Sequence, residues 1–196
     1  MEQSQLNRDL VKLKGSLGSL PEATVNPGFV VVSGLPGTGK TFFCRKLAEK
    51  QLFCILESDA LRKILFPSPD YSADESTRLF AACHSLIEGL LNNGMPVIFD
   101  ATNLSERHRE HLYRIGDRTG AKLVLVRVEA PAAVTYQRLR ARKNGATTTE
   151  DKSDADWEVY RQMQPRAEKI RRNHFAVDTS QDIAPVLDTI IRTINR

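Results

Sequence analysis

Eight residues, Gly34-Leu35-Pro36-Gly37-Thr38-Gly39-Lys40-Thr41, constrain this chain more than any other stretch. They fit G-x-x-x-x-G-K-[ST], the pattern of a loop whose backbone N–H groups turn inward around a polyphosphate. Such a loop needs conformations and close approaches that glycine tolerates. The apolar, β-branched run Phe29 to Gly34 ("FVVVSG") precedes it and reads as a buried parallel strand, and "KTFFCRKLAEK" opens a helix behind it. The positive end of that helix adds to the anion site. Lys40 is placed to reach the β/γ-phosphates and Thr41 to bind magnesium. Gly34, Pro36, Gly37, Thr38, Gly39, Lys40, Thr41 and the adjoining Phe42 are therefore the expected nucleotide-binding residues. Phe42 and Phe43 together are expected in the core. The motif implies nucleotide binding and leaves GTPase, ATPase motor and small kinase open.

The remaining pattern extends the same plan. Further strands are expected at "FCILES", "PVIFDA", "KLVLVRVEA" and "FAVDTS". Helices are expected at Asp59 to Leu65, "SADESTRLFAACHSLIEGLLNNG", the segment capped by Ser105, Pro131 to about Arg142, both sides of Pro165 in "DWEVYRQMQPRAEKIRRN", and Pro185 to Ile194. Strands alternating with helices imply an α/β fold, with a five-stranded parallel sheet covered by helices on both faces. Leu6, Leu10, Leu13 and Leu17 mark an amphipathic helix in an N-terminal extension, residues 1–27, that ends at Asn26-Pro27-Gly28. Residues 28–196 then form one domain, with the polar insert "NGATTTEDKSDAD" inside a lid at about 138–160.

No apolar run approaches the roughly 20 residues of a membrane span, and the N-terminus has no signal-peptide core. Cys44, Cys54 and Cys83 lack paired or metal-ligand spacing and suit small core residues in a reducing cytoplasm. The net charge of +4 permits an anionic ligand without demanding nucleic acid.

Three features stand at strand ends, where open α/β sheets bind their ligands. Asp59 and Arg62 follow the second strand, Asp100-Ala101-Thr102-Asn103 follows the third, and Arg138 and Arg142 share one helix face. Phosphoryl transfer needs an acceptor hydroxyl in line with the γ-phosphate, a carboxylate to take its proton, and cations over the shared charge. Asp59 suits the carboxylate, and Lys40 and Arg142 suit the cations. Each has a plainer alternative: Asp59 as a helix cap, Asp100 as a turn residue or a magnesium ligand, and the arginines as a solvated face. The absence of an Asn-Lys-x-Asp guanine signature makes ATP the default nucleotide. His108 and His111 lie in the charge-rich "ERHREH", which reads as a solvated face rather than a metal site, and His84 and His174 have no partner spacing. Helical spacing of Trp157 and Tyr160 favours packing over base stacking.

The stretches "SGLPGTGKT", "ESDALRKIL", "FDATNLSERHR", "VEAPAAVTYQRLRARK" and "SDADWEVYRQM" together resemble the stand-alone predicted kinases of the P-loop kinase superfamily, close to the kinase domain of polynucleotide kinases. The resemblance implies an ATP- and Mg2+-dependent transfer. Asp59 would be the general base on a 5′-hydroxyl and Arg62 would hold the acceptor's neighbouring phosphate. Asp100, Thr102 and Asn103 would line the acceptor pocket, Arg138 and Arg142 would cover the ATP phosphates, and Thr41, Asp59 and Asp100 would surround the metal. The acceptor stays open between a nucleic-acid 5′ end and a small hydroxyl compound such as a sugar, antibiotic or metabolite. A regulatory nucleotide-binding ATPase is the alternative from a different class.

Overall fold

Strand β1 (Gly28–Ser33) is buried at every position, as a central parallel strand must be. In this computed structural model, which describes residues 2–144 and 155–196, β1 pairs in parallel with β3 (Val97–Asp100) on one side and β4 (Lys122–Glu129) on the other. Strand β2 (Cys54–Glu57) lies beyond β3 and β5 (Phe175–Asp178) beyond β4. The order is β2-β3-β1-β4-β5, and each strand runs parallel to its neighbours. The expected five-stranded α/β fold is what the chain builds.

Alternation along β1 divides the core. Phe29 and Val31 face α1 (Glu2–Gly15), α3 (Ser58–Leu65), α4 (Ala73–Asn92) and α5 (Glu106–Thr119). Val30 and Val32 face α2 (Lys40–Ala48) and α8 (Ala184–Ile194). Two further helices, α6 (Ala132–Lys143) and α7 (Trp157–Met163), flank the insert. Residues 145–154, most of the expected lid insert, lie outside the described residues.

The N-terminal helix belongs to the core. Leu13 is fully buried in the same cluster as Phe29 and Leu56, with Leu6, Leu10 and Leu17 packed around it. Asp9, only 1% exposed, receives Nε and Nη2 of Arg78 on α4, both at 2.7 Å, and Nε2 of Gln5 at 2.9 Å.

Some local expectations are corrected. A short 3-10 turn (Gln164–Arg166) follows α7, and residues 167–174 are not helical. Their backbone is engaged elsewhere: Glu168 N–H donates to Leu104 O at 3.0 Å, and Arg109 Nη2 donates to the carbonyls of Glu168 and Lys169 at 3.0 Å. Ser105 holds the cap position of α5 without a capping side-chain bond. Phe43 is buried, but Phe42 is 50% exposed because it lies off the Phe43-Cys44-Leu47 stripe of α2. The "ERHREH" helix is not wholly solvated. Arg109 is 1% exposed and ties Glu106, Asn103 and the 168–169 backbone together.

Burial pushes the Cys54 thiol up to about 11 and the Cys83 thiol to about 12, so both stay protonated core residues. Trp157 stacks on Tyr160 with ring centroids 4.6 Å apart, and Tyr136 meets Trp157 at 5.2 Å, which packs α7 against α6. Among the described residues, no helix is long and apolar enough to cross a membrane.

Candidate active site

The phosphate loop connects β1 to α2 at the carboxyl edge of the sheet. Its geometry explains its glycines. Gly39 has φ 91°, and a Cβ there would lie 2.8 Å from Thr179 Oγ1. A Cβ on Gly34 would lie 2.3 Å from the Val128 carbonyl oxygen. The loop is braced from both sides. Thr38 Oγ1 and Lys40 Nζ donate to Leu35 O at 2.8 and 3.1 Å, and Thr179 Oγ1 donates to Thr38 O at 2.6 Å. Arg138 reaches the same Thr179, with Nη1 on its hydroxyl at 2.7 Å and Nη2 on its carbonyl at 3.0 Å. One buried threonine after β5 therefore fixes both the loop and an α6 arginine.

A groove of about 790 Å3 opens over the loop, within the roughly 300–1,000 Å3 of small-molecule sites. Pro36, Gly37, Gly39, Lys40, Thr41 and Phe42 form its floor, and Arg138 and Arg142 stand over it from α6. Asp59, Arg62, Asp100 and Thr102 line its other half. Three expected residues do not line it. Gly34 donates its N–H to Thr102 O at 3.0 Å, and Thr38 is turned to Leu35. Asn103, buried at φ 44°, donates Nδ2 to Val32 O at 2.7 Å. It is not in contact with the groove and instead stitches the turn after β3 to the end of β1. Ser33 Oγ joins that seam through the Thr102 and Asn103 carbonyls at 3.2 and 3.0 Å.

That seam presents Asp100 to the loop. Thr41 Oγ1 donates to Asp100 Oδ2 at 2.7 Å, so the last residue of β3 and the second of α2 form one oxygen pair. Burial lowers the Lys40 pKa, and the negative charges of Asp100 and Asp59 work against that drop. An anionic ligand here would restore full stabilisation of the ammonium.

Asp59 is not the cap of its helix. The cap position is Glu57, and Asp59 lies in the first turn of α3, where the helix dipole favours a carboxylate. Its side chain takes part in none of the hydrogen bonds or ion pairs among the described residues, and it faces the groove.

Arg62 is 6% exposed and paired with Glu75 Oε1 on α4. It also donates Nη2 to Ser76 Oγ at 3.3 Å, and its guanidinium carbon lies 4.8 Å from the centre of the Tyr71 ring. Tyr71, Ser76, Phe80, Val159 and Met163 also line the groove. Nothing in the sequence pattern marked these residues. Their place depends on how α4 and α7 cross the sheet end, which is tertiary information. Thr179 lies near the end of the last expected strand, "FAVDTS", and that position was its only signal.

Among the described residues, no group of three or more His, Cys, Asp or Glu side chains could hold a metal ion. His84 stacks on His111 with centroids 5.7 Å apart, and Phe80 packs against His84 and His108 at 6.4 and 6.2 Å.

Comparison with known proteins agrees with this architecture. No curated protein sequence matches the chain. Among solved structures it is similar to Kti12 of Chaetomium thermophilum in complex with ADP-AlF3 (20% identity, 85% of this chain and 98% of that one, TM-score 0.66). It is also similar to the Mycobacterium tuberculosis APS kinase CysC in complex with AMPPNP and APS (18% identity, 87% and 99%, TM-score 0.62). A gluconokinase from Sinorhizobium meliloti aligns at 22% identity over 87% and 93% of the two chains, with a TM-score of 0.58. At these identities the TM-scores show a shared fold and nothing more. A family model described as an AAA domain matches residues 29–170, well over half of the chain, from Phe29 of β1 through the phosphate loop and past α7, and the chain belongs to that family.

Proposed function

We propose that this protein is a phosphotransferase that moves the γ-phosphate of ATP to an acceptor hydroxyl. The observation that carries this reading is Asp59, a carboxylate in no hydrogen bond or ion pair among the described residues. It shares its groove with a braced phosphate loop and three cations, Lys40, Arg138 and Arg142. A nucleotide switch needs the loop but has no use for such a carboxylate across from it.

The loop N–H groups and Lys40 would hold the β- and γ-phosphates, with Arg138 and Arg142 covering them. The acceptor oxygen forms its bond to the γ-phosphorus, the bond from that phosphorus to the β,γ-bridging oxygen breaks, ADP leaves, and the hydroxyl proton passes to Asp59. Thr41 and Asp100 fit magnesium. Both are hard oxygen donors, they lie 2.7 Å apart, and Mg2+ typically takes only one or two protein ligands beside phosphate and water. Bound there, the ion would neutralise developing phosphate charge. Thr41 pairs with Asp100 and not with Asp59, so we assign the metal to the first two and the proton to Asp59.

The Asp59-x-x-Arg62 spacing supports a second reading of the acceptor, a polynucleotide 5′-hydroxyl. Small-molecule kinases are among the similar folds, which is consistent with phosphate transfer and does not bear on a polynucleotide acceptor.

The test is acceptor-dependent ADP release from ATP and magnesium across a panel of hydroxyl compounds and 5′-hydroxyl oligonucleotides. The reading expects at least one acceptor to stimulate release and Lys40→Met to abolish it. Release that no acceptor stimulates would overturn it in favour of an ATPase.

A further inference from the structure

We propose that the acceptor is a small, uncharged hydroxyl compound with an apolar face, of sugar or nucleoside size, and that the pocket rejects acceptors carrying a phosphate. This deepens the phosphotransferase reading and rests on it.

The cations that line the groove are Lys40, Arg62, Arg138 and Arg142. Lys40 and Arg138 are tied to the phosphate loop or its brace, and Arg142 belongs to the same helix as Arg138. Among the described residues, only Arg62 stands on the acceptor side. Its charge is already balanced, because Arg62 and Glu75 are an ion pair with side-chain exposures of 8% and 7%. Glu75 is itself fixed, since Asp70 N–H donates to its other oxygen at 2.9 Å and Ser72 caps the first turn beneath it. A buried carboxylate held on one oxygen by Arg62 and on the other by the Asp70 N–H resists giving up its arginine to an incoming phosphate.

With Arg62 balanced by Glu75, the cation facing Asp59 is Lys40 of the phosphate loop, and once nucleotide phosphates engage Lys40 the acceptor half is left with the negative charge of Asp59. A second anion placed beside it meets like-charge repulsion.

The rest of the wall suits a neutral ligand. Tyr71 and Phe80 offer aromatic surface and Met163 a thioether, while Ser76 and Thr102 offer hydroxyls. Tyr71 is held at φ 56°, an unusual conformation for a bulky residue, with its ring against the Arg62 guanidinium. Aromatic faces beside hydroxyls and an Arg–Glu pair match the two sides of a sugar ring, one apolar and one carrying hydroxyls.

The test uses thymidine and thymidine 3′-monophosphate, which present the same 5′-hydroxyl and differ by one phosphate. Each is titrated by calorimetry into the protein saturated with magnesium and a non-hydrolysable ATP analogue. Wild type should bind thymidine at least tenfold more tightly than its 3′-monophosphate. Glu75→Gln, which is isosteric and releases the Arg62 charge, should tighten the 3′-monophosphate at least tenfold and leave thymidine within threefold.

Wild type binding the 3′-monophosphate as well as or better than thymidine overturns the proposal, as does wild type binding neither probe. A Glu75→Gln variant that is folded by circular dichroism and shows no gain also overturns it. The wild-type comparison decides the matter alone if that variant does not fold. Replacing the analogue with ATP tests the chemistry separately: binding that follows the charge rule without phosphate transfer would sink the phosphotransferase reading and leave the charge selectivity standing.

Discussion

The two halves of the Asp9–Arg78 ion pair are unequal, and the inequality is measurable. Asp9 is 1% exposed, whereas the Arg78 side chain is 38% exposed and rests on Phe66 with its guanidinium 5.0 Å from the ring centre. Arg78→Met leaves a buried carboxylate with Gln5 as its remaining side-chain donor, and stranding a buried charge costs about 3 kcal/mol. Asp9→Asn leaves an arginine that water can reach and an amide that still accepts a hydrogen bond, so about 1 kcal/mol is expected. For a chain of this size those values correspond to drops in Tm of roughly 6–12 °C and 2–4 °C.

The arginine change should also alter the pH dependence. In the native pair the Arg78 hydrogen bond leads the forces that hold the Asp9 pKa below its usual value, against burial. A depressed carboxylate pKa contributes stability above the unfolded value that is lost as pH falls through the folded one. Without Arg78, burial is opposed only by Gln5 and Lys12 and the Asp9 pKa rises from its native value, so the deficit of Arg78→Met should shrink as the solution is acidified and Asp9 takes up its proton. Urea melts of the two variants and wild type, at neutral pH and near pH 4, supply the data. Equal costs for the two variants, or a larger cost for Asp9→Asn, would refute the claim that α1 is locked to α4 by a buried carboxylate.

Thr179→Val removes the hydroxyl that joins Arg138 to the Thr38 carbonyl, and ATP affinity by calorimetry should fall about tenfold while Thr179→Ser restores it. Gly39→Ala should leave a folded protein that no longer binds nucleotide, because both the positive φ and the 2.8 Å approach to Thr179 exclude a Cβ. His84 is pushed down to about 4, first by burial and then by His111 and His108, so the unfolded chain binds the extra proton between its ordinary value near 6.5 and about 4. Stability should therefore fall as pH drops through that window, by up to about 3 kcal/mol, and His84→Phe should flatten the decline in urea melts collected across it.

Much of this site was legible in the sequence because its parts are local. The glycine spacing fixes the loop, and alternation between apolar strands and amphipathic helices fixes the sheet. Asp59, Asp100 and Arg138 could be placed because parallel strands deliver their C-terminal ends, and the segments attached to those ends, to one edge of the sheet. Non-local residues were not legible. Glu75 looks like an ordinary first-turn acid of α4, and only the packing of α4 on α3 makes it the partner of Arg62. Arg109 sits in a run of charges that reads as solvated, yet it is buried because backbone carbonyls from 103, 168 and 169 converge on it. The same convergence removes the helix expected after Pro165 in "DWEVYRQMQPRAEKIRRN". Asn103 matched a motif position, but its φ of 44° and its bond to Val32 make it part of the scaffold.

The most direct test of the phosphotransferase claim is the transfer of radiolabelled γ-phosphate from ATP to a hydroxyl acceptor by wild type and Asp59→Asn, with ATP affinity measured in parallel. The account predicts label on the acceptor for wild type, a loss of about 10²- to 10⁴-fold in the transfer rate for Asp59→Asn, and ATP affinity unchanged within a few-fold. Full-rate transfer by Asp59→Asn, or label released only as inorganic phosphate by wild type, would contradict it.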